Sequence, residues 1–147
     1  MNSMMTVVLI LLSNPLLFGG QLKVACTKED AIRADTEASS LKTWTEVHNS
    51  YKRFAQCDDA SIGEGYSNSV AHLLSDDWGN IDKLNQLISR DKGFEKFVLR
   101  HMDELMTPTQ LMNILDNAVF HCSVSSKRLC SEIIVRTKEI SSHSNPH

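Results

Sequence analysis

From Ser40 onward the apolar residues of this chain recur at three- and four-residue spacing, and no stretch alternates with period two for long enough to demand a strand. That periodicity belongs to amphipathic helices and restricts the fold to the all-α class. Trp44, Val47, Tyr51, Phe54 and Ala55 make one stripe, and Ile62, Tyr66, Val70, Leu73 and Leu74 a second. Ile81, Leu84, Leu87 and Ile88 follow, then Phe94, Phe97, Val98, His101 and Leu105. Leu111, Ile114, Leu115, Ala118, Val119 and Cys122 share the next face, and Leu129, Cys130, Ile133, Ile134 and Ile140 the last.

Start and stop signals divide these stripes. Thr107-Pro108-Thr109-Gln110 reads as an N-cap, a proline at the first helical position and a glutamine that completes a capping box. Thr43 with Glu46 offers a second box, with Ser40 as a competing cap, and Asp58 or Asp59 can cap the helix that follows Cys57. Gly79 and Asp91-Lys92-Gly93 mark breaks, and Asp76-Asp77 opposes the dipole at a helix end. Residues 27–39, acidic and alanine-rich, suit a short solvated helix. The expected architecture is an irregular orthogonal bundle of five to six short helices, one domain over residues 26–140, with a disordered tail at 141–147.

Ahead of the domain, Thr6 to Leu12 is an apolar core followed by Pro15 and Gly19-Gly20, too short and interrupted for a membrane span and suited to a secretory signal peptide. Residues 1–25 are read as that signal, with cleavage after Gly20 or after Ala25. The second site would leave Cys26 at the new N-terminus, where a lipid anchor is the alternative to an ordinary cysteine. Removing this segment takes away Lys23 and no acid, so the net charge moves from −3 to −4 over the remaining 122 residues. Mild acidity without a cluster of basic residues argues against nucleic acid as a partner.

Four cysteines in an exported chain of this size are read as disulfides. Three pairings are possible; Cys122 with Cys130, seven residues intervening, is favoured, leaving Cys57 for Cys26 unless Cys26 is lipidated. Zinc is disfavoured because no Cys-x-x-Cys occurs. Gly63 and Gly65 stand inside a helical pattern, which calls for close packing or for binding; Gly65 and Ser69, four apart, allow another helix to approach.

No catalytic set emerges. Asp58, Asp59 and Glu64 could serve as general acid and base, but adjacent aspartates at a helix start serve more often as caps. Neither acidic run has the calcium-loop pattern, and His48, His72, His101 and His121 fall on separate helices without ligand spacing. His101, on an apolar stripe, reads as a hydrogen-bonded core histidine. Trp78, between Asp77 and Gly79, is the aromatic expected to be partly exposed.

Cys57-Asp58-Asp59, Glu64-Gly65-Tyr66-Ser67, Trp78, the segment Phe94 to His101 and the closing Cys122 and Cys130 resemble a group of small exported helical proteins of Gram-negative bacteria, over roughly Trp44 to Cys130. In general character the chain is also similar to periplasmic immunity proteins. The resemblance implies a periplasmic or secreted helical domain rather than an activity.

The functional expectation is a non-catalytic binding protein without a cofactor, an inhibitor or immunity factor for a periplasmic hydrolase or toxin. Asp58, Asp59, Glu64, Asp76, Asp77 and Trp78 are the expected contact surface. The alternatives are an envelope adaptor that self-associates through the Gly65–Ser69 face, and a small hydrolase. A membrane enters only if Cys26 is lipidated.

Overall fold

The computed structural model describes residues 24–143. Residues 1–23, which hold most of the expected signal peptide, and 144–147, most of the expected tail, lie outside the described residues. Within the described residues seven α-helices follow one another: α1 (Lys28–Ala38), α2 (Trp44–Phe54), α3 (Ala60–Ser75), α4 (Ile81–Arg90), α5 (Lys92–Arg100), α6 (Pro108–Phe120) and α7 (Lys127–His143). Short 3-10 turns at Ala55–Cys57, Trp78–Asn80 and Val124–Ser126 join them. The all-α class and both disulfides are as the sequence implies; the helix count exceeds the five or six expected, and 141–143, assigned to the tail, complete α7.

Local chemistry accounts for the boundaries. Thr43 and Thr107 each accept the backbone N–H three residues on, and Glu46 and Gln110 return a bond to the cap backbone, so both boxes form and Ser40 is not the cap. Asp59 begins α3 and accepts from the N–H of Ala60 at 2.8 Å. Ala60 follows with φ of 45°, the left-handed region where a Cβ is unwelcome.

The central element is α3, which buries ten residues including Ile62, Tyr66, Val70, Leu73 and Leu74. A helix covered on most sides needs neighbours on most sides, and α1, α2 and α6 supply them. The tightest approach is at Gly65: a Cβ there would lie 2.8 Å from Cβ of Ala38. Ser69, one turn on, donates to the carbonyl of Ala38 at 2.6 Å. The small-residue face proposed for self-association is therefore occupied by α1, and a second copy has no access to it. Gly63 also has a packing reason, since a Cβ would lie 3.3 Å from Oδ1 of Asp58.

Cys26 pairs with Cys57 and Cys122 with Cys130. The first bond leaves Cys26 no sulfur for a lipid thioether, so this pairing and the lipid-anchored alternative exclude one another. Two disulfides are compatible with an oxidising, extracytoplasmic location. Among the described residues no helix is long and apolar enough to cross a membrane.

Two substitutions test this account by urea unfolding. Gly65→Val should cost about 1–3 kcal/mol, the range for forcing volume into a closed contact. Ala60→Gly should add about 0.5–1 kcal/mol, because relief of the left-handed backbone exceeds the entropy glycine gains when unfolded.

Candidate interaction surface

The densest polar chemistry lies under the start of α3. His101, 4% exposed, directs Nε2 to Oδ2 of Asp58 at 3.0 Å and Nδ1 to Oγ of Ser67 at 3.0 Å. Ser67 donates to Oδ2 of Asp103 at 2.5 Å, and Arg100 bonds Asp58 from the solvent side. Ser67 gives its single proton to Asp103, and the two ring nitrogens of His101 lie against the Ser67 oxygen on one side and the Asp58 carboxylate on the other. Aspartate, histidine and serine are the residue types of a nucleophilic triad. Here the hydroxyl is 2% exposed and already donating to a second carboxylate, with no room for an acyl group. The network joins the start and middle of α3 to the end of α5. Tyr66 and Phe97 pack against the imidazole.

The six expected contact residues do not form one surface. Asp58 is 4% exposed at its side chain and held by His101 and Arg100, Asp59 caps α3, and Glu64 is exposed on the first turns. Asp76, paired with His72, and Asp77, accepting from Asn80, lie beyond the other end of α3. The sixteen residues of α3, about 24 Å at 1.5 Å each, lie between Asp59 and Asp76, and Glu64 is still about 18 Å from Asp76 along the helix. Trp78 is 8% exposed, and its indole N–H donates to the carbonyl of His121 at 3.0 Å. The exposed ring expected there is instead a structural anchor, because its polar edge reaches a backbone acceptor across the fold.

That anchor begins a corner invisible in the sequence. Between α6 and α7 the chain turns through His121 to Ser126, and the Cys122–Cys130 bond closes the turn. Asp82 on α4 accepts at Oδ1 from Ser123, from Ser125 at 2.8 Å and from Ser126 at 2.6 Å. These three hydroxyls, Ser123 foremost, then Ser126 and Ser125, hold the Asp82 carboxyl below its usual range. Asn85 adds a bond to the carbonyl of Ser125 at 2.9 Å. The turn is thus fixed from two sides, and it presents Phe120 and Val124, which are 74% and 81% exposed.

The outer face of α6 continues this apolar surface. Leu111, Ile114 and Ala118 are buried, whereas Met112 and Val119 are 62% and 50% exposed and Leu115 is half-buried. Beside the first turns of α6 a groove of about 490 Å³ is lined by Met106, Pro108, Leu111, Met112 and Leu115, with Glu104 and Ser141 also on its wall. Because Ser141 near the end of α7 meets residues near the start of α6, the two helices are antiparallel. A second recess, about 350 Å³, is polar, but Glu37 in its wall is bound by Arg53 and Ser50 and Glu46 by the capping box. Among the described residues no three metal-ligating side chains converge. No family model, curated protein or solved structure matches the chain.

Two carboxylates on α5 and its cap tie that helix to α2 and to the start of α7. Burial raises the Asp91 carboxyl, but bonds from His48 and the backbone of Phe94 and Gly93 outweigh it and leave the group below its usual value. Glu95 is likewise raised by burial and brought lower overall by Arg128 and Lys92. Depressed folded-state values mean stability that is present above the unfolded pKa and lost as pH falls. The urea midpoint should hold from pH 7 down to about 4.5, the ordinary glutamate value, and then drop. Glu95→Gln should lower the midpoint at pH 7 and flatten the acid limb; equal acid slopes for both proteins would show that Glu95 carries none of it.

Proposed function

We propose that this chain is an exported, non-catalytic binding protein that docks a protein partner on the outward face of α6 and the corner after it. The observation that carries the reading is a set of large apolar side chains, Met112, Val119, Phe120 and Val124, left exposed on a helical hairpin closed by a disulfide and bonded to α4. An apolar patch on a rigid support loses little conformational entropy on association, which is what a contact hot spot requires. The helix itself is apolar on more of its circumference than its own fold covers, and such a helix is completed by a neighbour.

An inhibitor or immunity factor for a periplasmic hydrolase or toxin is one role for such a surface. The mild acidity of the chain and the exposed Glu64 and Asp76 would speed encounter with a basic enzyme without forming the contact itself. An envelope adaptor is the other role, through the α6 face rather than through Gly65 and Ser69.

Three baits passed in parallel over the envelope extract of the source cell separate these surfaces: the mature protein, Phe120→Asp with Val124→Asp, and Glu64→Gln with Asp76→Asn. The expected result is one stoichiometric protein that the first variant loses and the second retains. Retention by the apolar-corner variant and loss by the acid variant would move the site to α3.

A further inference from the structure

The groove beside the first turns of α6 is apolar apart from side chains that can only accept hydrogen bonds, and we propose that it binds a small amphipathic amine. Its volume, about 490 Å³, falls within the roughly 300–1,000 Å³ of ordinary small-molecule pockets. Met106, Pro108, Leu111, Met112 and Leu115 supply the apolar wall. The two unbranched methionine side chains can follow the outline of an alkyl chain or a ring. Phe120, at the other end of α6, is about 18 Å from Pro108 along the helix. The groove is therefore separate from the corner at Phe120 and Val124, and its chemistry does not rest on a protein docking there.

The polar side chains of the wall select the head group. Glu104 is exposed, has no ion-pair partner among the described residues, and as a carboxylate only accepts hydrogen bonds. Ser141 spends its one proton on the carbonyl of Thr137 at 2.9 Å, so toward the groove its oxygen can only accept. It lies in the last turn of α7, the negative end of that helix. The start of α6 would oppose this with its positive end, but its donors are spent. Pro108 has no N–H, and those of Gln110 and Leu111 bond Oγ1 and the carbonyl of Thr107. Arg136 of α7 is held by the Met102 carbonyl and by Glu139, and it is not on the wall. A carboxylate or phosphate would meet acceptors and negative charge here. An ammonium brings three donors and a positive charge, and an apolar body behind it fills the rest of the groove.

NMR of the mature, oxidised protein, isotope-labelled at its methionine methyl groups, reads the groove directly. Met106 and Met112 lie on the wall, while Met102, fully buried and not on it, is the control. Octylamine, octanol and octanoate, equal in chain length, are titrated in turn below the concentrations at which they aggregate. The expected result is a saturable shift of Met106 and Met112 with octylamine, at a Kd at least tenfold below that for octanol, with Met102 unmoved and no saturable response to octanoate. Glu104→Gln, an exposed change that leaves the core intact, should bring octylamine to the affinity of octanol and leave octanol binding as it was. Equal binding of octanol and octylamine by the unaltered protein would overturn the assignment of an amine, and so would a preference for octylamine that survives Glu104→Gln. No saturable shift with any probe, or shifts that reach Met102 equally, would overturn the site itself. None of these results alters the contrast between baits at Phe120 and Val124, so this site and the protein-docking surface fail separately.

Discussion

The contact between His101 and Asp58 is the constraint around which this fold is arranged. Asp58 directly follows Cys57, so the bond fixes the point where the first disulfide hands the chain to α3. Through Ser67 and Asp103 the same ring reaches the middle of α3 and the connector leading to α6. A buried ring with polar atoms on both nitrogens is costly to leave half-satisfied, since each orphaned group would forfeit about 1–3 kcal/mol. The geometry leaves little slack: a Cβ on Gly63 would press on Oδ1 of Asp58 at 3.3 Å, and Ala60 accepts a left-handed backbone to begin the helix at that point.

With α3 held at its start, the remaining helices are set by how closely each can approach it. Gly65 and Ser69 admit α1 nearly to backbone contact, and Asn117 on α6 reaches the carbonyls of Leu74 and Ser75 at the far end. That last contact determines which side of α6 is inside, and so leaves Met112 and Val119 outside. The exposed face is a consequence of α6 having been turned to serve α3, while its sequence remains apolar on both sides.

What could be read from the sequence was local. Thr43, Thr107 and Pro108 act through residues three positions away, and a cap of that kind is written in consecutive letters. His101 was legible as a core histidine because its stripe is apolar on either side. The packing role of Gly65 was legible because glycine inside a helix needs a reason. Asp82 was not, since its three serine partners lie more than forty positions away and three serines in a turn satisfy themselves in many other ways. Trp78 misled for the same reason: its neighbours are polar and small, but its indole is covered by the chain around His121. The acids at 58, 59 and 64 and those at 76 and 77 looked like one cluster of charge until the length of α3 came between them.

The two disulfides are consecutive along the chain. Cys26–Cys57 closes a span of 31 residues and is complete before Cys122 or Cys130 is reached; neither loop encloses or crosses the other. For a chain that threads into an oxidising compartment from its N-terminus, nearest-neighbour pairing in order of arrival is already the native pairing. Such a protein can acquire its covalent frame as it emerges, with no bond that must later be broken and reshuffled.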